Sequence, residues 1–166
     1  DVCSSDLEKQ NKNKFIVLYF GSILPLQGID IILECVEKME TVTSVSFEII
    51  GPVKNKDINK YNYLKNVTFI SWLSQESLAK KIASADLCLA GHFNSTIEKA
   101  SRTIPGKAYI YDSMQKPMIL GDNAANRELF DEDNIKYYYV EMGNSDKLKE
   151  KILSAMKRNK EGFEDE

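Results

Sequence analysis

Phe15-Ile-Val-Leu-Tyr-Phe20 and the segment that follows it, Gly21-Ser-Ile-Leu-Pro-Leu-Gln-Gly28, decide the fold. A continuous apolar and aromatic run without polar alternation describes a strand covered on both faces, as in a parallel sheet. Glycine at each end of the next segment marks a loop. From Ile29 the apolar positions Ile29, Ile32, Leu33, Val36 and Met39 recur at helical spacing, with Asp30, Glu34, Glu37 and Lys38 opposite them. A two-sided strand that runs through a loop into an amphipathic helix starts a βαβ unit.

Outward from this unit the same alternation repeats. Val45–Ile50 reads as a strand stopped by Gly51-Pro52, Asp57–Leu64 as a weak helix and Val67–Ser71 as a third strand. Ser74-Gln-Glu-Ser77 has the form of an N-cap region before a helix that buries Leu78, Ile82 and Ala83. Asp86–Ala90 is a fourth strand, followed by a stretch from Gly91 to Ile104 with no clean period, read as a loop. A helix over Lys107–Gln115, opened by Pro105-Gly106, leads to a fifth strand, Pro117–Leu120. A polar turn at Gly121–Asn126, a short helix at Arg127–Phe130, a sixth strand at Lys136–Val140 and a last helix capped by Ser145 complete the pattern. With no Asn-Gly hairpin signal between neighbouring strands, the fold class is α/β: a doubly wound, Rossmann-like parallel sheet of about six strands, with helices on both faces.

Composition bounds what such a domain does. The 43% hydrophobic content supplies a core for one domain, expected over 15–158, between a polar leader or linker at 1–14 and an acidic tail at 159–166 that frays. The Lys/Asn-rich leader and the absence of an initiator Met read as a piece of a longer protein. A formal charge of −3 with interspersed signs argues against nucleic acid as a partner. Cys3, Cys35 and Cys88 have no CxxC spacing and accompany a single histidine, which disfavours a disulfide framework or zinc site and suits a reducing cytoplasm. No apolar run is long enough to span a bilayer; peripheral association stays open, though no basic amphipathic helix supports it.

In a doubly wound sheet, ligands bind outside the carboxyl ends of the strands, where the loops at Gly21, Gly51, Ser71, Gly91 and Gly121 are expected to emerge. Gly21–Gly28 is neither a Walker loop nor GxGxxG, yet its glycines let a backbone approach a ligand. Pro105–Pro117 opens as a helix whose free N–H groups and Lys107 would suit a phosphate. Arg102 and Lys107 read as a pair of cations near that helix start. His92 is a candidate acid–base group or a packing residue, Asp122 a helix cap, and Tyr137–Tyr139 part of an edge strand.

These segments, in this order, resemble the carboxyl-terminal, nucleotide-sugar-binding domain of GT-B-fold glycosyltransferases of group 1 (family 4-like). Gly21-Ser-Ile-Leu-Pro-Leu-Gln-Gly-Ile-Asp30 is similar to that family's Gly-Arg-Leu…Lys-Gly-Ile-Asp loop, and Phe47-Glu-Ile-Ile-Gly51 to its strand ending in Ile-x-Gly. Asn66–Ser74 resembles Val-x-Phe-x-Gly-x-Val, Ser84-Ala-Asp86 the Ala-Asp before the fourth strand, and Pro105-Gly-Lys-Ala-Tyr…Gln-Lys-Pro117 resembles Pro-Ser-Lys-x-Tyr-Glu-Tyr…Gly-Lys-Pro.

The resemblance implies a retaining transferase whose donor, a nucleotide-diphosphate sugar, binds here, while an amino-terminal domain of the same protein holds the acceptor. It implies neither cofactor nor metal. The base would lie near Gly51 and the Ser71-Trp72-Leu73 turn, and the diphosphate between the Gly21 loop and the helix opened by Pro105, against Lys107. The family's phosphate-binding Arg and Lys fall at Ser22 and Gln27, and its two donor-binding glutamates at Arg102 and Ile110. Each missing charge-assisted bond costs about 1.5–3 kcal/mol. Two alternatives follow: a non-catalytic GT-B-like module that has lost these glutamates, and a nucleotide-sugar epimerase of the same fold.

Overall fold

The structure, a computed structural model, describes residues 14–164; all of the expected leader but Lys14, and with it Cys3, lies outside the described residues. Six strands form one parallel sheet: β1 (Phe15–Phe20), β2 (Val45–Ile50), β3 (Val67–Ile70), β4 (Leu87–Gly91), β5 (Met118–Gly121) and β6 (Tyr137–Val140), in the spatial order β3-β2-β1-β4-β5-β6. The order reverses beside β1, so the crevice of a doubly wound sheet opens between β1 and β4. The seven α-helices among the described residues are α1 (Ile29–Lys38), α2 (Asn55–Tyr61), α3 (Gln75–Ser84), α4 (Glu98–Arg102), α5 (Gly106–Ser113), α6 (Ala124–Leu129) and α7 (Ser145–Glu164), and a 3-10 turn spans Pro25–Gln27. None is long and apolar enough to cross a membrane.

The two-sided strand reading is borne out residue by residue. Val17 and Tyr19 of β1 pack with Phe47, Ile49 and Leu89 beneath α1 and α7, which contribute Ile32, Leu33, Val36, Leu148 and Ile152. Leu18 points the other way, joining Ile50, Cys88, Ala90, Met118 and Leu120 under Ile82 of α3 and Ala108 and Tyr111 of α5. Each face thus has its own core, and the sheet is the shared wall. Asp86 ties the wall together: its carboxylate accepts the Ile16 N–H at 2.8 Å, closing the start of β1 against that of β4.

Local signals shift several boundaries. Ser74 caps α3 by accepting the Ser77 N–H at 3.1 Å, as expected. At α6 the cap is Asn123, whose side chain accepts the Asn126 N–H, while Asp122 pairs with Arg127 at 2.6 Å. Asn144, not Ser145, caps α7 by accepting the Lys147 N–H, because the Ser145 hydroxyl is taken by Lys38 Nζ at 2.6 Å. The stretch read as a loop from Gly91 to Ile104 contains α4, one turn too short to show a period. α7 continues through the acidic segment to Glu164. Tyr137–Tyr139 do form the edge strand β6.

α5 stops at Ser113, two residues before the expected end, because Gln115 takes the left-handed conformation at φ 57° that normally selects glycine after a helix. Gln115→Gly removes this Cβ penalty and is expected to raise stability by about 1 kcal/mol. Leu89→Ala, in the centre of the sheet, is expected to cost about 2–5 kcal/mol. Urea denaturation of both variants checks the pair.

Candidate functional site

The loops after β1 and β2 begin with glycines, Gly21 and Gly51, because the chain there has little room for side chains. Gly51, at φ 144°, lies so close to the loop after β1 that a Cβ would stand 2.2 Å from the Gly21 carbonyl oxygen. Gly28, at φ 74°, opens α1 in the left-handed region, and a Cβ there would strike Phe93 and the Asn94 backbone at 2.7–2.8 Å. The β1 loop is therefore pressed between the end of β2 and the loop after β4. At the bottom of this arrangement the Tyr19 hydroxyl donates to the Ser22 carbonyl at 2.7 Å, fixing the first turn of the loop.

Lys107 enters from the first turn of α5 and is only 6% exposed. Its Nζ donates to Gln27 Oε1 at 2.6 Å and sits 5.1 Å from the centroid of the Tyr19 ring. A Cβ on Gly21 would come within 3.0 Å of Lys107 Cε, so glycine at 21 is what admits the lysine. No carboxylate forms a salt bridge with Lys107 among the described residues. Burial alone pulls its pKa from 10.5 down to about 8, so at neutral pH it remains a cation held by one amide oxygen and one aromatic face. A buried cation without a carboxylate partner is costly to hold, and its one side-chain hydrogen bond among the described residues is to Gln27.

The model of the family described as "Glycosyl transferases group 1" matches residues 5–162. The chain belongs to the group 1 glycosyltransferases. Its fold is shared with Anabaena HepE solved in complex with UDP and glucose (TM-score 0.69, 17% identity, covering 94% of this chain and 44% of that one). It is shared also with a glycosyltransferase from Rickettsia africae (0.68, 15%, 95% and 43%) and with WaaG, a glycosyltransferase involved in lipopolysaccharide biosynthesis (0.63, 16%, 95% and 43%). The chain spans less than half the length of each of these proteins. No curated protein matches it.

Within this group 1 domain, Gly21, Gln27, Gly51 and Lys107 come together around the β1 loop. Ser22 is exposed in the same loop, and only its carbonyl is engaged. The Ser71-Trp72-Leu73 turn follows β3, whose last residue, Ile70, accepts the Gly51 N–H at 2.8 Å; Trp72 is 65% exposed there, while Leu73 leans on the core. Arg102 does not join Lys107. It lies on the surface of α4, paired with Glu98 at 3.5 Å, because α4 and α5 are separate helices and the two cations are not presented by one helix start. Ile110 is on α5 and 43% exposed. Tyr19 and Phe93 were not among the sequence candidates: Tyr19 read as part of an apolar strand and Phe93 as part of a loop without a period, and only the geometry brings them to the β1 loop.

The depressed Lys107 pKa has a consequence for folding. Between about pH 8 and 10.5 the unfolded chain keeps the proton that the folded lysine releases, so this group adds stability as pH rises through that window. The gain in urea-denaturation stability between pH 7.5 and 10 is therefore expected to be smaller in Lys107→Met than in the parent protein. An equal gain in both would mean that the lysine is not buried as described.

Proposed function

We propose that this domain is the donor-binding half of a retaining glycosyltransferase, which in the full-length protein transfers a sugar from a nucleotide diphosphate to an acceptor held by an amino-terminal domain. The observation that carries the reading is Lys107: a buried cation with no carboxylate partner, cradled by Gly21 and Gln27. In this reading the diphosphate lies over the β1 loop, and Lys107 moves its hydrogen bond from Gln27 to a phosphate oxygen. The base lies beside Gly51 and the Ser71-Trp72-Leu73 turn, where the exposed Trp72 ring offers a stacking face. UDP, present in the HepE complex, is the first nucleotide to try.

The contribution to catalysis is electrostatic. As the bond between sugar and diphosphate breaks, negative charge grows on the leaving phosphate, and a cation already desolvated and aimed at it stabilises that charge without reorganising. The isolated domain binds but does not turn over, since the acceptor site lies on the missing half. A cytoplasmic setting fits the same reading.

A second reading has its own support. Arg102 and Ile110 stand where carboxylates would grip the donor, and both are directed to the surface, Arg102 engaged with Glu98. These features favour a non-catalytic relative that keeps the nucleotide site without transfer.

Thermal-shift titration with uridine, guanosine and adenosine diphosphates and their sugars, with transfer assays on the full-length protein, separates the two. The donor-site reading expects stabilisation at millimolar nucleotide and, by calorimetry, an affinity about ten- to a hundred-fold lower in Lys107→Ala, the worth of one charge-assisted hydrogen bond. Stabilisation without transfer favours the non-catalytic relative, and no stabilisation by any nucleotide overturns both.

A further inference from the structure

His92 stands at the carboxyl end of β4, beside the crevice, and the donor-site reading leaves its ring unused. Its backbone is clamped on three sides. The Gly91 carbonyl just before it accepts Asn126 Nδ2 at 3.0 Å, and a Cβ on Gly121 would stand 2.1 Å from the His92 carbonyl oxygen. Just after it, the Phe93 N–H donates to the Gln27 carbonyl at 3.3 Å and the Phe93 carbonyl accepts the Gly143 N–H at 2.6 Å. The histidine is thereby held against the same loop that carries the Lys107 acceptor.

The ring itself has no such anchor. It is 4% exposed, and Nδ1 is closed off from solvent without a hydrogen-bond partner among the described residues. Two other buried atoms share that condition, Asn66 Oδ1 and Asn126 Oδ1, but each belongs to an amide whose NH2 group is twice engaged: Asn66 to the Val36 and Met39 carbonyls, Asn126 to those of Gly91 and Gly121. Those side chains are fixed by their donors. The imidazole makes no hydrogen bond among the described residues, and an unpaired buried ring nitrogen calls for an explanation.

The surroundings specify what partner would suit the ring. Besides burial, the charges of Lys107 and Lys99 act on the ring, and together they hold it neutral, with its pKa lowered to about 4. A neutral imidazole keeps one N–H to donate, and two neighbouring cations favour an anionic acceptor. We propose that His92 is a ligand-binding residue of the donor site, donating a hydrogen bond to a phosphate oxygen of the diphosphate that Lys107 neutralises. The proposal rests on the donor-site reading of Lys107 and adds a second, uncharged contact from a different strand.

Because the sequence contains a single histidine, its ring nitrogens can be followed without ambiguity. Tag-free, 15N-histidine-labelled protein is titrated with inorganic pyrophosphate and with uridine, guanosine and adenosine diphosphates. The expected result is a saturable shift of the imidazole 15N signals that tracks binding. His92→Ala should weaken binding about ten- to a hundred-fold, and His92→Asn, which restores an N–H donor near Nδ1, should recover part of the loss. Unmoved imidazole signals on saturation, while Lys107→Ala weakens binding as expected, would overturn the His92 assignment and leave the donor site standing. Failure of the parent protein to bind any of the four ligands would overturn both. The spectra of the parent protein decide the matter even if a variant does not fold.

Discussion

Two glycines on neighbouring strands meet at the carboxyl edge of the sheet, and the arrangement of the site depends on how closely they do so. With a Cβ at Gly51 only 2.2 Å from the Gly21 carbonyl oxygen, the end of β2 and the loop after β1 could not keep this approach with a larger residue at position 51. Their contact turns the β1 loop across the top of the sheet, toward α5. That path brings Gln27 over Lys107 and leaves Gly21 open beneath the lysine's aliphatic stem. The first turn of the loop is fixed from below by the Tyr19 hydroxyl, so the whole cradle stands on the central strand.

A lysine in such a place works against folding. Burial lowers its pKa to about 8, a direct sign that its charged form is less well solvated than in water. One amide oxygen and one ring face do not replace the hydration it loses. A carboxylate partner would offset this. The protein instead leaves the cation only partly satisfied, and the rigid double core on either side of the sheet carries the cost.

The remaining charges are arranged differently. Arg102 with Glu98, and Arg127 with Asp122, Glu132 and the Tyr139 ring, are surface groups that satisfy one another. Such exposed pairs are screened and worth little singly, and they leave no unmet charge to attract a ligand. Lys107 differs in being buried and without a carboxylate, and the unpaired His92 ring lies within its field. Of the positions where the chain departs from the family pattern, Gln27 supplies an uncharged acceptor to the Lys107 ammonium, Ser22 and Ile110 are exposed, and Arg102 is paired with Glu98.

The sequence by itself determined the architecture. The unbroken run Phe15–Phe20, the helical period from Ile29 and the glycines after the strands are local patterns, and local patterns fix which faces must be covered and hence a parallel, doubly wound sheet. It also located the helix carrying Lys107. What it did not determine were caps, short helices and partners. Ser145 has the right chemistry for a cap but is claimed by Lys38 from another helix, and α4 is too short to show a period. Only the tertiary structure joined Lys107 to Gln27, 80 residues apart, separated Arg102 from Lys107, and left His92 Nδ1 buried without a hydrogen-bond partner among the described residues. Periodicity records the burial that each segment needs, whereas a site is made by the close approach of segments distant in sequence, which leaves no period to read.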